Sequence, residues 1–135
     1  MYLIDTSVWI DYFRPKTTPK LKERVRDLLE SGSVITCGIV LVELLRGAKT
    51  LEELKILDDA LFALPQIPLD EPVLRRAAQW GYGLDRKGHV LPTTDLIIAS
   101  AAFPFNRLIH RDKDFITIAD NFGLKHEYIA EKALS

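Results

Sequence analysis

Tyr2-Leu3-Ile4-Asp5-Thr6-Ser7-Val8-Trp9-Ile10 sets a single carboxylate between two apolar runs and follows it at once with two hydroxyls. The three residues before Asp5 read as a short buried strand and the apolar-rich stretch after it as a helix, which puts Asp5 at the carboxyl end of a strand. Open α/β sheets bind their ligands outside that end. A lone Asp at such a junction is also an ordinary helix N-cap. What separates the two readings is whether other carboxylates join it.

Outward from this stretch the strand-then-helix alternation recurs. Pro15 to Pro19 reads as a loop, and Leu21, Val25, Leu28 and Leu29 then recur at one-face helical spacing with basic residues outward. Ser31-Gly32-Ser33 ends that helix, and Val34 to Cys37 has the β-branched content of a second strand. Residues 39 to 48 read as helical, and Ile39 to Leu45 is apolar all round apart from Glu43, the pattern of a buried helix. Thr50 and Glu53 have capping-box spacing ahead of a helix running to about Ala63. Gln66 to Leu69 is a short strand that Pro68 assigns to a sheet edge. Asp70-Glu71-Pro72 starts a helix that Gly88 terminates, with Gly81 on its apolar stripe permitting close packing. Leu96 to Ala102 is a second buried helix, preceded by Asp95. Arg107 to His110 is a strand, Phe115 to Phe122 a helix closed by Gly123, and His126 to Ile129 a last strand. Alternating βα units predict an α/β fold: a parallel sheet covered by helices on both faces.

At 135 residues and 47% hydrophobic content, the chain is expected to form one domain over residues 1–135. The single cysteine, Cys37, rules out an intramolecular disulfide, reads as a small buried residue, and fits a reducing, cytoplasmic setting. The N-terminus lacks a signal-peptide pattern and the apolar runs fall short of a membrane span, so neither export nor membrane insertion is expected. Net charge is −1, from 18 basic and 19 acidic residues, so any polyanion must be bound locally. One basic stretch, Arg14, Lys16, Lys20, Lys22, Arg24 and Arg26, is interrupted only by Glu23 among acids. Such a run is ordinarily a solvated helix face.

The acids decide the chemistry. Asp112 and Asp114 again follow a strand end, while Glu43 and Asp95 sit in segments too apolar to solvate a charge sideways. Burying an isolated carboxylate costs several kcal/mol or forces it to take a proton, and one shared cation answers all of these sites together. For Asp95 alone, a first-turn position favoured by the helix dipole is the simpler account. An all-oxygen donor set without Cys or paired His favours Mg²⁺ or Mn²⁺ over zinc. Two such ions about 4 Å apart can stabilise both the attacking and leaving oxygens of a phosphoryl transfer, with water as nucleophile. Thr6 and Ser7 are candidate donors to a phosphate oxygen. His89, His110 and His126 are isolated in sequence, with His110 able to line the site from the strand before Asp112.

Four stretches together carry a resemblance: residues 3–11, Val42-Glu43-Leu44-Leu45-Arg46-Gly47-Ala48, Pro92-Thr93-Thr94-Asp95-Leu96-Ile97-Ile98-Ala99, and His110-Arg111-Asp112-Lys113-Asp114-Phe115. In this order they resemble PIN-domain endoribonucleases, and most closely the VapC-type toxins of toxin–antitoxin pairs. The resemblance implies a PIN-like three-layer sandwich with sheet order 3-2-1-4-5, and Mg²⁺-dependent cleavage of RNA. It further implies a homodimer, a small antitoxin that blocks the acidic pocket, and operator DNA reached only through that antitoxin. It assigns metal binding to Asp5, Glu43 and Asp95, extends it to Asp112 and Asp114, and gives Thr6 a supporting hydroxyl. Ser7, where the family more often has Asn, is left with the helix cap. Arg14, Arg111 and Lys113 are the candidate RNA contacts, acting on phosphates.

Rival readings fit less well. A haloacid-dehalogenase-like phosphatase needs a second Asp two residues after the first, where Ser7 stands, and a receiver domain needs paired acids at its first strand end. A solitary RNA-processing PIN nuclease remains an alternative, as does a PIN fold that only binds a partner; the complete set of acids argues against the second.

Overall fold

The computed structural model describes residues 1–129. Eleven elements follow one another in this span: β1 (Tyr2–Ile4), α1 (Thr6–Phe13), α2 (Pro19–Glu30), β2 (Val34–Ile35), α3 (Gly38–Arg46), α4 (Leu51–Leu61), α5 (Glu71–Arg86), α6 (Thr93–Ala102), β3 (Arg107–His110), α7 (Lys113–Phe122) and β4 (His126–Tyr128). The strands form one parallel sheet in the order β2-β1-β3-β4. Leu3, Ile4, Leu108 and Ile109 at its centre are wholly buried, so successive side chains meet cover on either face. That is the helix-covered parallel sheet expected from the alternation of elements.

One expected strand is reduced to a remnant. Gln66 to Leu69 was to be the third of five strands, at the sheet edge; what forms is a single parallel bridge between Thr36 and Gln66. Thr36 donates to the carbonyl of Pro65 at 2.9 Å and Ile67 donates to the carbonyl of Thr36 at 2.8 Å. The ladder stops on one side because the next donor would be the absent N–H of Pro65, and on the other because Gly38 already opens α3. The bridge nevertheless lies beside β2, so the positional order 3-2-1-4-5 is retained with its outermost member truncated.

Local signals set the helix ends. Thr50 caps α4 by accepting from the Glu53 N–H at 3.0 Å, and Asp70 caps α5 through Val73, with Pro72 in the first turn. Gly123, at φ 75°, closes α7 in the left-handed conformation that glycine adopts without a Cβ penalty. Gly81 allows close approach as expected, since a Cβ there would stand 2.9 Å from Leu96 Cδ1 of α6. Ser100, the polar residue inside α6, is buried and satisfied: it donates to the carbonyl of Val73 at 2.7 Å and accepts from Arg76 Nε at 3.0 Å.

α3 departs from the expected buried helix. Val40, Leu41 and Leu44 face the core, but Val42 is 62% exposed. Its apolar pattern therefore describes two faces, one covered by the described residues and one that they leave open. No helix among the described residues is long and apolar enough to cross a membrane.

Candidate metal centre

β1 delivers Asp5 to the carboxyl edge of the sheet, where its N–H continues the ladder to the Ile109 carbonyl at 2.9 Å. There Asp5 does cap α1, contrary to the assignment of that role to Ser7. Its extended backbone (φ −70°, ψ 156°) turns the carboxylate over the helix start, and Oδ2 accepts from Ser7 N–H at 3.1 Å and Ser7 Oγ at 2.5 Å. Ser7 Oγ in turn accepts from the Arg111 N–H at 3.1 Å, tying the first βα junction to the β3–α7 junction. Burial, and secondarily the Glu43 charge, raises the Asp5 carboxyl above its usual range against the pull of these hydrogen bonds. Capping and site membership are compatible, because the cap uses one oxygen of a carboxylate that the fold has already buried.

Glu43 projects from the middle of α3 and is half-buried. Thr6 Oγ1 donates to its Oε1 at 2.7 Å, so the hydroxyl after Asp5 fixes the rotamer of an acid thirty-seven positions away.

Asp95 stands in the first turn of α6, Asp112 caps α7, and Asp114 lies in the first turn of α7. One oxygen from each lies within 4.8 Å of the others, the one such acidic group among the described residues. The Asp95 carboxyl is pushed up to about 7, first by burial and then by the charges of Asp112, Asp5 and Asp114. The tightest grouping is thus Asp95, Asp112 and Asp114, with Asp5 coupled to it through Asp95 and Glu43 coupled through Asp5.

His110 does not line an open site. It is fully buried, and its Nδ1 accepts the Asp112 N–H at 3.2 Å while Nε2 meets His126 Nδ1 at 2.9 Å. Burial lowers its pKa to about 4, so the ring is neutral, with its proton on Nε2 by the logic of these two bonds. It holds the backbone that carries Asp112. Cys37 is buried, which raises its thiol pKa and leaves it inert.

The cations divide into two sets. Arg24 of the basic stretch pairs with Glu127 at 2.7 Å and 3.0 Å, a contact of α2 with β4 rather than a surface for a polyanion. Arg14 and Arg111 both reach Asp11 of α1, Arg14 at 3.0 Å, and Arg111 also donates to the Ile129 carbonyl at 3.1 Å. Asp11 went unassigned in the sequence. Its i,i+3 spacing to Arg14 was a visible signal, but its link to Arg111 was not, because a hundred residues separate them. Lys113, the first residue of α7, is exposed.

A parallel sheet whose carboxyl edge gathers acids from four segments defines an α/β protein with an acidic, oxygen-rich centre suited to a hard cation. The PIN domain profile matches residues 2–121. Ribonuclease VapC11 of Mycobacterium tuberculosis and a VapC ribonuclease of Mycobacterium bovis are each 35% identical over 124 residues, covering 88% of this chain and 92% of theirs. The chain belongs to the PIN-domain family and, within it, to the VapC ribonucleases. Solved structures share the fold at lower identity. VapBC2 from Rickettsia felis bound to a promoter DNA fragment superposes with a TM-score of 0.77 at 22% identity, over 94% of this chain and 97% of that one. VapBC-1 from nontypeable Haemophilus influenzae does so at 0.75 and 23%, over 96% and 98%.

Proposed function

We propose that this protein is a Mg²⁺-dependent endoribonuclease that hydrolyses RNA phosphodiester bonds as the toxin of a type II toxin–antitoxin pair. The observation that carries the reading is the grouping of Asp95, Asp112 and Asp114 within 4.8 Å of one another, with the charge of Asp5 acting on Asp95, in a chain 35% identical to ribonucleases. In this reading those five acids hold the cation, Mg²⁺ or Mn²⁺. The donor set fits because it is all oxygen, and because burial and the charges of Asp112, Asp5 and Asp114 push the Asp95 carboxyl up to about 7, a burden a cation would offset. When bound, the divalent cation supplies the Lewis acidity that lowers the pKa of a water and offsets charge on the phosphate oxygens. Thr6 keeps Glu43 aimed inward, Ser7 and the α1 cap keep Asp5 in place, and His110 sets the turn that presents Asp112. Arg14, Arg111 and Lys113 approach RNA phosphates.

The proposed partners follow from the relatives and from surface chemistry. Both structural neighbours named above are complexes of a VapC with a VapB, one on promoter DNA. A groove of about 390 Å³ beside Glu43, lined by Ile10, Phe13, Leu44 and Leu57, suits an apolar antitoxin segment that leads into the acids. Operator DNA is reached only through that antitoxin. A second copy of the chain is proposed to form a homodimer, supported by exposed Leu74, Tyr82 and Val90 around a groove between α5 and α6. The chain is taken as one cytoplasmic domain over residues 1–135.

The test is cleavage of structured and single-stranded RNAs by purified protein with chelator, then with Mg²⁺ or Mn²⁺ restored. Cutting is expected only with the metal and is expected to be lost in Asp5→Asn and Asp95→Asn. Metal-independent cutting, or full activity in either variant, overturns the reading.

A further inference from the structure

A cavity of about 410 Å³ is lined by none of the five acids but adjoins them through Ser7 and Arg111. It is lined by Ser7, Asp11, Arg14, Lys16, Thr17, Thr18 and Arg111. Two of these residues join it to the metal centre: Ser7 donates to Asp5, and Arg111 precedes Asp112 in the chain and binds Ser7 Oγ through its N–H. Three cations and one acid face it, and that acid, Asp11, is engaged by both arginines. Three hydroxyls complete the wall. One of them, Thr18 Oγ1, is buried without a hydrogen-bond partner, an arrangement that is unfavourable unless a ligand serves it. The protein as a whole is slightly acidic and the carboxylates of Asp5 and Asp112 adjoin the cavity's wall through Ser7 and Arg111, so this net positive wall is a local feature and not part of a general basic surface.

We propose that this cavity holds the RNA phosphate adjacent to the scissile one. The inference rests on the nuclease reading and deepens it, since it specifies which part of the substrate is gripped beside the acids. A chain bound with one phosphate at the carboxylates must carry its next anion past them, and a compensating cationic recess one residue away offsets that repulsion. No aromatic side chain lines the cavity, so it offers no platform for a stacked base and takes the backbone instead. Such a contact positions RNA without reading its sequence. Asp11 acts here as a positioning residue that holds Arg14 and Arg111 to one wall.

The test has a binding half and a cleavage half. Binding of mixed-sequence single-stranded RNA 20-mers is measured in chelator across a salt series for wild type, Lys16→Gln, Arg14→Gln/Lys16→Gln, and Lys125→Gln as a control beyond the opposite edge of the sheet. The double variant is expected to lower the slope of log K against log salt by about 0.7, one phosphate's worth on a single strand, with Lys16→Gln in the same direction and Lys125→Gln unchanged. In the cleavage half, done in Mg²⁺, one methylphosphonate is placed beside the mapped cut. It is expected to lower kcat/KM for wild type and to cost the double variant nothing further. An unchanged slope, an equal change in Lys125→Gln, or additive losses with the methylphosphonate overturn the proposal. Cleavage with an unchanged slope sinks this proposal alone, whereas the expected slope with no metal-dependent cleavage sinks the nuclease reading.

Discussion

Asp95 concentrates the electrostatics of the site in one side chain. Its carboxyl is raised from an ordinary 3.8 to about 7 by burial and by Asp112, Asp5 and Asp114, so the folded protein holds a proton there that the unfolded chain has released. Between roughly pH 4 and 7 the native state therefore binds more protons than the unfolded one. The stability tied to this group is fully present at the acid end of that window and drains away as pH rises through it. In metal-free protein, Asp95→Asn is expected to raise the melting temperature at pH 7.5 and to change it much less at pH 5, as read by thermal denaturation in chelator. A gain that is equal at both pH values would show that repulsion among the acids is not its source. The same physics made the residue legible in sequence, since an Asp leading into Leu96-Ile97-Ile98-Ala99 has apolar neighbours that cannot solvate its charge. Ser7 was misjudged for the opposite reason. Asp5 was treated as either a cap or a ligand, and the buried junction lets it be both.

At the scale of elements, α5 and α6 show how a helix pair uses the absence of a side chain. Gly81 faces Leu96 so closely that a Cβ would sit 2.9 Å from its Cδ1, whereas Gly83, two residues on, has nothing within 4 Å. Gly83→Ala is expected to stabilise the protein by about 0.5–1 kcal/mol through helix propensity and a less flexible unfolded chain. Gly81→Val forces branched carbon against a buried leucine and is expected to destabilise by about 1–3 kcal/mol. Urea midpoints at constant m distinguish the two, and a stabilising Gly81→Val would mean that α5 and α6 pack less tightly than the distance indicates. Gly81 was legible because it interrupts an apolar stripe. Most helix and strand positions were legible, although the second strand ends at Ile35 rather than Cys37 and α7 begins at Lys113 rather than Phe115. The third strand was not, because Pro65 removes a donor from a ladder whose register sequence does not display. Nor was the open face of α3: an apolar helix pattern records that a surface is covered, not whether the covering atoms belong to the same chain.

Across the whole molecule, the sheet order brings together acids that the chain keeps far apart. β1 and β3 are neighbours, so the junctions carrying Asp5 and Asp112 lie side by side, while α3 and α6 add Glu43 and Asp95 from above the same edge. Without a cation these segments are pressed together by the core against their mutual repulsion. A divalent ion that binds only the assembled centre must therefore stabilise the fold, by about 2.7 kcal/mol when its concentration reaches a hundred times Kd. Mg²⁺ is accordingly expected to raise the melting temperature by several degrees, with the gain removed by chelator and abolished in Asp5→Asn. Proton and metal compete for Asp95, whose carboxyl loses its proton only as pH passes about 7, so the Mg²⁺-induced gain should be larger at pH 8 than at pH 6. Calorimetry with MgCl₂ against NaCl of matched ionic strength makes the comparison. An equal rise with NaCl would reduce the effect to screening of surface charge. A gain that shrinks as pH rises would separate the cation from Asp95 and confine its ligands to the other acids.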